Sequence, residues 1–173
     1  FDDILKLAVK HHEIALKLNP KWSIPCWSYI HCLKGLSRKD SLRPVLDEAL
    51  RRDPRNTQAA VAYLDSILPK WLGSVQECEA FLDDTEEFAK KDPAFHDVLL
   101  FCLKEFAFLS GNPRAFFSNP KTKKAFLTSV DAFAKAYPMS PNPHARKLFF
   151  LIKTGASKKE IFACSRKVTD LGR

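Results

Sequence analysis

One short phrase recurs along this chain and dictates most of what it can fold into. A helix-compatible stretch carries a small or aromatic residue and basic residues, then Asn or Asp, then Pro. It reads Ala15, Leu16, Lys17, Leu18, Asn19, Pro20 at its first occurrence and Ala49, Leu50, Arg51, Arg52, Asp53, Pro54 at its second, 34 residues on. A third copy runs from Phe88 to Pro93 and a degenerate fourth from Phe133 to Pro138, at steps of 39 and 45. Proline cannot donate its backbone hydrogen and restricts the residue before it, so each phrase ends one helix and lets another begin a few residues later. The lengthening steps imply longer loops toward the C-terminus.

The residues after each proline carry the same phase. Six, nine, ten and thirteen positions after Pro20 stand Cys26, Tyr29, Ile30 and Leu33; after Pro54, Ala60, Tyr63, Leu64 and Ile67; after Pro93, Leu99, Cys102, Leu103 and Phe106. Those offsets trace one helical stripe. After Pro138 the register requires a slide of one, giving Ala145, Leu148, Phe149 and Ile152.

The breakers then place nine helices: about 2 to 18, 24 to 35, 41 to 52, 57 to 68, 74 to 90, 94 to 110, 119 to 136, an eighth that follows the Pro-rich loop 137 to 143 and runs to 153 or 154, and a ninth from 157 onward, with a short turn near 115 to 118. Ser23, and Asn56 or Thr57, stand where N-caps are needed. Ser74 with Glu77, and Ser157 with Glu160, have capping-box spacing. Gly35 and Gly155 fall at helix stops. With 14 Phe and only 5 Gly among 173 residues, an all-α chain is the expectation.

The 34-residue step, the helix-turn-helix units and the Ala-x-x-x-Asx-Pro endings resemble tetratricopeptide repeats, most strongly from Ala8 to Phe106. The resemblance implies a right-handed α–α superhelix forming a single domain over 1 to 173. It consists of a half repeat at 1 to 18, repeats at 22 to 53, 55 to 92 and 94 to 137, and a degenerate capping repeat at 142 to 171. Ile30, Leu64 and Leu103 replace the family's consensus glycine, which implies wider packing between paired helices. The stretch Pro69, Lys70, Trp71, Leu72, Gly73, Ser74 is also similar to a loop in bacterial helical-repeat proteins of unknown function. Read from the residues, Pro69 stops a helix, Trp71 plugs a gap, Gly73 takes a positive φ and Ser74 caps the next helix.

Stacked helix pairs of this kind line a concave groove with their first helices. One step round from the apolar stripe lie Trp27, His31 and Lys34, then Gln58 and Asp65, then Asp97 and Lys104. This set marks a groove for another protein or peptide, with Trp27 as the natural anchor; packing of Trp27 against the first helix is the competing structural account. The set differs from the Lys-and-Asn clamp by which some family members hold a terminal carboxylate.

Charge offers a second reading. Residues 1 to 60 hold 11 Lys+Arg against 7 Asp+Glu, residues 61 to 111 hold 4 against 10, and residues 112 to 173 hold 13 against 3. The basic C-terminal third, through Lys121, Lys123, Lys124, Arg146, Lys147, Lys158, Lys159, Arg166 and Lys167, could hold RNA or DNA, with Phe116, Phe117, Phe126, Phe133, Phe149, Phe150 and Phe162 as candidate stacking rings. Core packing of those rings and a solvated lysine face are the structural alternative.

Other chemistry has less support in the residues. His11, His12, His31, Cys26 and Cys32 crowd the first repeat, but Cys26 and Cys32 lie about 120° apart around a helix and no zinc-type spacing appears. There is no Gly-rich phosphate loop, no Gly-x-Ser-x-Gly and no His-Glu-x-x-His, so neither an enzyme nor a cofactor is expected. The acidic run Asp83, Asp84, Glu86, Glu87 reads as a solvated face. Five unpaired-looking cysteines favour a reducing, cytoplasmic setting, and no apolar run is long enough to span a bilayer. The chain opens at Phe1 rather than Met, which reads as a processed or excised piece; an upstream targeting segment stays open.

Overall fold

A computed structural model describes residues 1–172, and these are all-helical with no strand among them. Ten helices follow one another: α1 (Asp2–Leu18), α2 (Pro25–Gly35), α3 (Leu42–Arg52), α4 (Thr57–Ile67), α5 (Val75–Lys91), α6 (Phe95–Leu109), α7 (Pro113–Ser118), α8 (Pro120–Ala136), α9 (Asn142–Thr154) and α10 (Lys158–Leu171), with a 3-10 turn at Lys39–Ser41. The tenth helix is α7, where only a turn was expected. Pro113 at its first position and Asn112, whose side chain accepts from Ala115 N, close a complete short helix.

The joints behave as their residues require. Asn56 caps α4 by accepting from Ala59 N, and Ser157 with Glu160 makes a full capping box on α10. Gly155 ends α9 in the left-handed region at φ 72°. Ser23 departs from expectation. Ile24 occupies the cap position of α2, while the Ser23 hydroxyl donates to Asp53 Oδ2 at 3.4 Å and its carbonyl accepts from Asn56 Nδ2. The side chain is thus spent on tying the first joint to the second. Gly73 departs too: it has no positive φ. Glycine is needed there because a Cβ would lie 1.9 Å from the Ile67 carbonyl oxygen.

The chain divides into two compact units, Phe1–Asp84 and Thr85–Arg173. In the first, α2 packs against α1, α3 and α4, and α3 against α4. Ile30, Leu33, Leu42, Leu46, Leu64 and Ile67 are buried there, each contributing about 1.5–3 kcal/mol of transfer free energy. The expected stripes of α2 and α4 are buried except for Tyr29 and Tyr63, which are half-buried.

In the second unit α6 packs on α8, α8 on α9, and α9 on α10, with α7 wedged against α6, α8 and α9. Its centre is aromatic: Phe117 lies 5.2 Å from both Phe126 and Phe150, and Phe126 stacks on Phe150 at 5.0 Å. The slid register proposed for α9 is corrected here. Ala145 and Ile152 are exposed, and the buried members are Pro143 and Phe150. The α7 wedge, invisible as a helix to the repeat pattern, presents Phe117 to Phe150 and so turns a different face of α9 inward.

Candidate functional site

In the first unit α2 and α4 bring four of the five groove residues assigned there to one side. Trp27, His31 and Lys34 follow each other at helical spacing on α2, and Trp27 meets the His31 ring edge-on at 5.8 Å. Lys34 Nζ reaches across to Asp65 Oδ2 on α4 at 2.5 Å, with the two side chains 15% and 29% exposed. The same ammonium sits 4.5 Å from the centroid of the Trp71 ring, a cation–π contact strengthened by partial desolvation. Burial, and then the neighbouring Lys34, push the His31 imidazole below its ordinary value, with Asp65 opposing them.

Trp71 was read in the sequence as a gap-plugging residue. It is instead 54% exposed, and Trp27 is 39% exposed. Two indoles thus present open area at a place where partner groups already hold the surrounding charges. The fifth residue, Gln58, lies apart from them. It is exposed at the start of α4, two turns and about 10 Å along the axis from Asp65, beside a shallow concavity of about 240 Å³ shared with Ser23, Ile24 and Asn56.

In the second unit Asp97 and Lys104 share a face of α6. Asp97 Oδ1 accepts from Arg146 Nε of α9 at 2.9 Å, and Lys104 pairs with Glu105 at 2.9 Å. Both cations lean on Phe101, at 4.3 Å for Lys104 and 5.7 Å for Arg146. Lys104 and Arg146 also line a concavity of about 330 Å³ with Asn142, Ala145 and Phe149. Phe101 was not singled out from sequence, although its position four after Asp97 and three before Lys104 puts it on the same helix face.

The basic residues assigned to a polyanion scatter over three helices. Lys121, Lys123 and Lys124 open α8; Arg146 and Lys147 lie on α9; Lys158, Lys159, Arg166 and Lys167 lie on α10. Of the nine, only Arg146 is ion-paired among the described residues. Lys147 and Lys167 converge on a cleft of about 420 Å³ that also holds Asp131, His144, Glu160 and Cys164. Burial, then Lys167 and Lys147, lower the His144 imidazole, while burial raises the Cys164 thiol. Of the seven candidate stacking rings, Phe117, Phe126, Phe133 and Phe150 are buried, whereas Phe162 is 66% exposed with Arg166 at 5.9 Å.

No group of three or more His, Cys, Asp or Glu side chains stands close enough to hold a metal among the described residues. His12 instead stacks on Tyr29 at 5.7 Å. No helix among those residues is long and apolar enough to cross a membrane.

No protein-family model matches this chain, and no match to it was found among curated proteins. The reading of its function therefore rests on the residues and their geometry.

Proposed function

We propose that the chain is a non-catalytic, tetratricopeptide-like interaction module, its helix pairs stacked as a right-handed superhelix, that docks a peptide or protein segment on the α2–α4 face of the first unit. The observation that carries this reading is the exposed Trp71 ring at the Lys34–Asp65 ion pair, with exposed Trp27 two turns before Lys34 on the same face of α2. Large aromatic side chains dominate interface energies when they enter a partner's pockets, and ordering these two costs little because His31 and Lys34 already restrain them. The packing of α2 on α1, α3 and α4 supports the repeat reading, since it is the neighbour pattern expected of stacked pairs. Affinity capture with the native chain and a Trp27→Ala/Trp71→Ala variant tests it: the reading expects a captured protein that the folded variant loses, and fails if both forms recover the same proteins.

A second reading is favoured by one observation, the exposed Phe162 beside Arg166 on a helix that also carries Lys158, Lys159 and Lys167, none of them ion-paired among the described residues. A ring next to cations is a platform for single-stranded RNA or DNA. Titration with single strands at two salt concentrations tests it: binding that falls steeply with salt and is lost in Phe162→Ala supports it, and no binding at low salt eliminates it.

A further inference from the structure

The second unit carries a groove that neither reading uses. It lies among the end of α5 (Glu86, Ala89, Lys90), the first turns of α6 (His96, Leu99) and the outer side of α8, and encloses about 640 Å³, within the range of small-molecule sites. Its floor stays open for a compositional reason. Beyond Lys121 and Lys124 at its first turns, α8 offers it Ala125, Thr128, Ser129 and Ala132, small side chains recurring at three and four residues over about 10 Å of helix.

The charge at one end points to what would lie there, and a ring beside it can report on it. His96 Nδ1 is buried without a hydrogen-bond partner, the one such side-chain atom among the described residues. That nitrogen is closed off from the groove, so the ring, which lines it, reports on occupancy and makes no polar contact with what lies there. At the N-terminal end of α8, Lys121 and Lys124 line the groove with no ion pair among the described residues. Lys90, on the opposite wall, is engaged by Glu87, and Glu86 is the one carboxylate on the rim. The positive end of the α8 dipole adds to the two free ammoniums.

From this combination we infer that the groove binds a small amphiphilic carboxylate, its apolar body along Leu99, Ala125 and Ala132 and its head at Lys121 and Lys124. The body covers apolar floor that is otherwise wetted. The head meets two charge-assisted donors. One negative head suffices because Glu86, on the rim, repels further negative charge. The inference is independent of the docking face in the first unit.

Decanoate, decanol and acetate are the probes, titrated calorimetrically into the 173-residue chain with the His96 imidazole followed by NMR. Decanoate is expected to bind and to move the His96 resonance, with decanol about tenfold weaker and acetate not bound. In Lys121→Gln/Lys124→Gln, whose exposed sites leave the fold intact by circular dichroism, decanoate is expected to weaken about tenfold while decanol is unchanged. Equal loss of both probes, an unmoved His96 resonance or no decanoate binding at about 1 mM overturns the inference. So does displacement of decanoate by oligodeoxythymidine but not by acetate, which would transfer the lysines to the polyanion reading.

Discussion

Lys34 and Asp65, 31 residues apart in sequence, close a 2.5 Å ion pair between α2 and α4, and the same ammonium lies over the ring of Trp71. One lysine therefore ties two first-position helices and a loop into a single surface. The pair is partly exposed, so its worth is modest and salt-dependent. A double-mutant cycle with Lys34→Met and Asp65→Asn, read by urea denaturation, should give a coupling of about 1 kcal/mol that shrinks in high salt. Asp65→Asn alone should alter Trp71 fluorescence. Strict additivity would mean that the pair does not organise the face.

Arg52 fastens the end of α1 to α3. Its Nη1 donates to the carbonyls of Leu16, Asn19 and Trp22 at 3.2, 3.1 and 3.1 Å, and its Nε donates to Glu48 at 2.7 Å. The side chain is 8% exposed. Lysine cannot serve all four acceptors from one nitrogen. Arg52→Lys should cost about 2–3 kcal/mol, measured by denaturation, with faster amide exchange around Asn19 to Trp22.

The close approach at Gly73 predicts a large effect from a single methyl. With a Cβ 1.9 Å from the Ile67 oxygen and 2.5 Å from its carbon, Gly73→Ala must move backbone rather than a flexible side chain. A loss of about 2–4 kcal/mol is expected, and the displaced loop should shift Trp71 emission.

Four histidines set the mildly acidic behaviour. Burial lowers His12, His31, His96 and His144 below the ordinary 6.5. Below pH 6.5 the unfolded chain takes up protons that the folded imidazoles resist, so stability is full above 6.5 and declines as pH falls through their lower folded values. Denaturation midpoints should thus drop between pH 7.5 and 5.5, and less so in His96→Gln. A separate loss follows further down. Arg51 and Arg52 hold Glu48 at about 2, so its contribution is present above the ordinary 4.5 and disappears as pH falls toward 2.

The helices were legible because proline and the residue before it act locally: Asn19, Asp53 and Asp92, and Tyr137 in the degenerate fourth copy, each follow the last residue of a helix. Capping at Asn56 and Ser157 was legible for the same reason. What escaped depends on tertiary neighbours. The α9 face was misjudged because a period counted from Pro138 does not register α7, whose Phe117 chooses the inward side. Within the site, the apolar phase placed Lys34 and Asp65 on one side without revealing that they pair. Trp71 joins its cluster through a cation from another helix, a relation that spacing within one helix cannot express, whereas Phe101, three residues before Lys104 on α6, was within reach of that spacing.

The most direct test of the docking account places a photo-crosslinking amino acid at position 27 or 71, and separately at 162, in the otherwise native chain within its source cell. Protein adducts from 27 and 71 that disappear with Lys34→Glu are the predicted result. Adducts absent from both positions, with nucleic acid crosslinked at 162, would contradict the account and leave the basic third as the working surface.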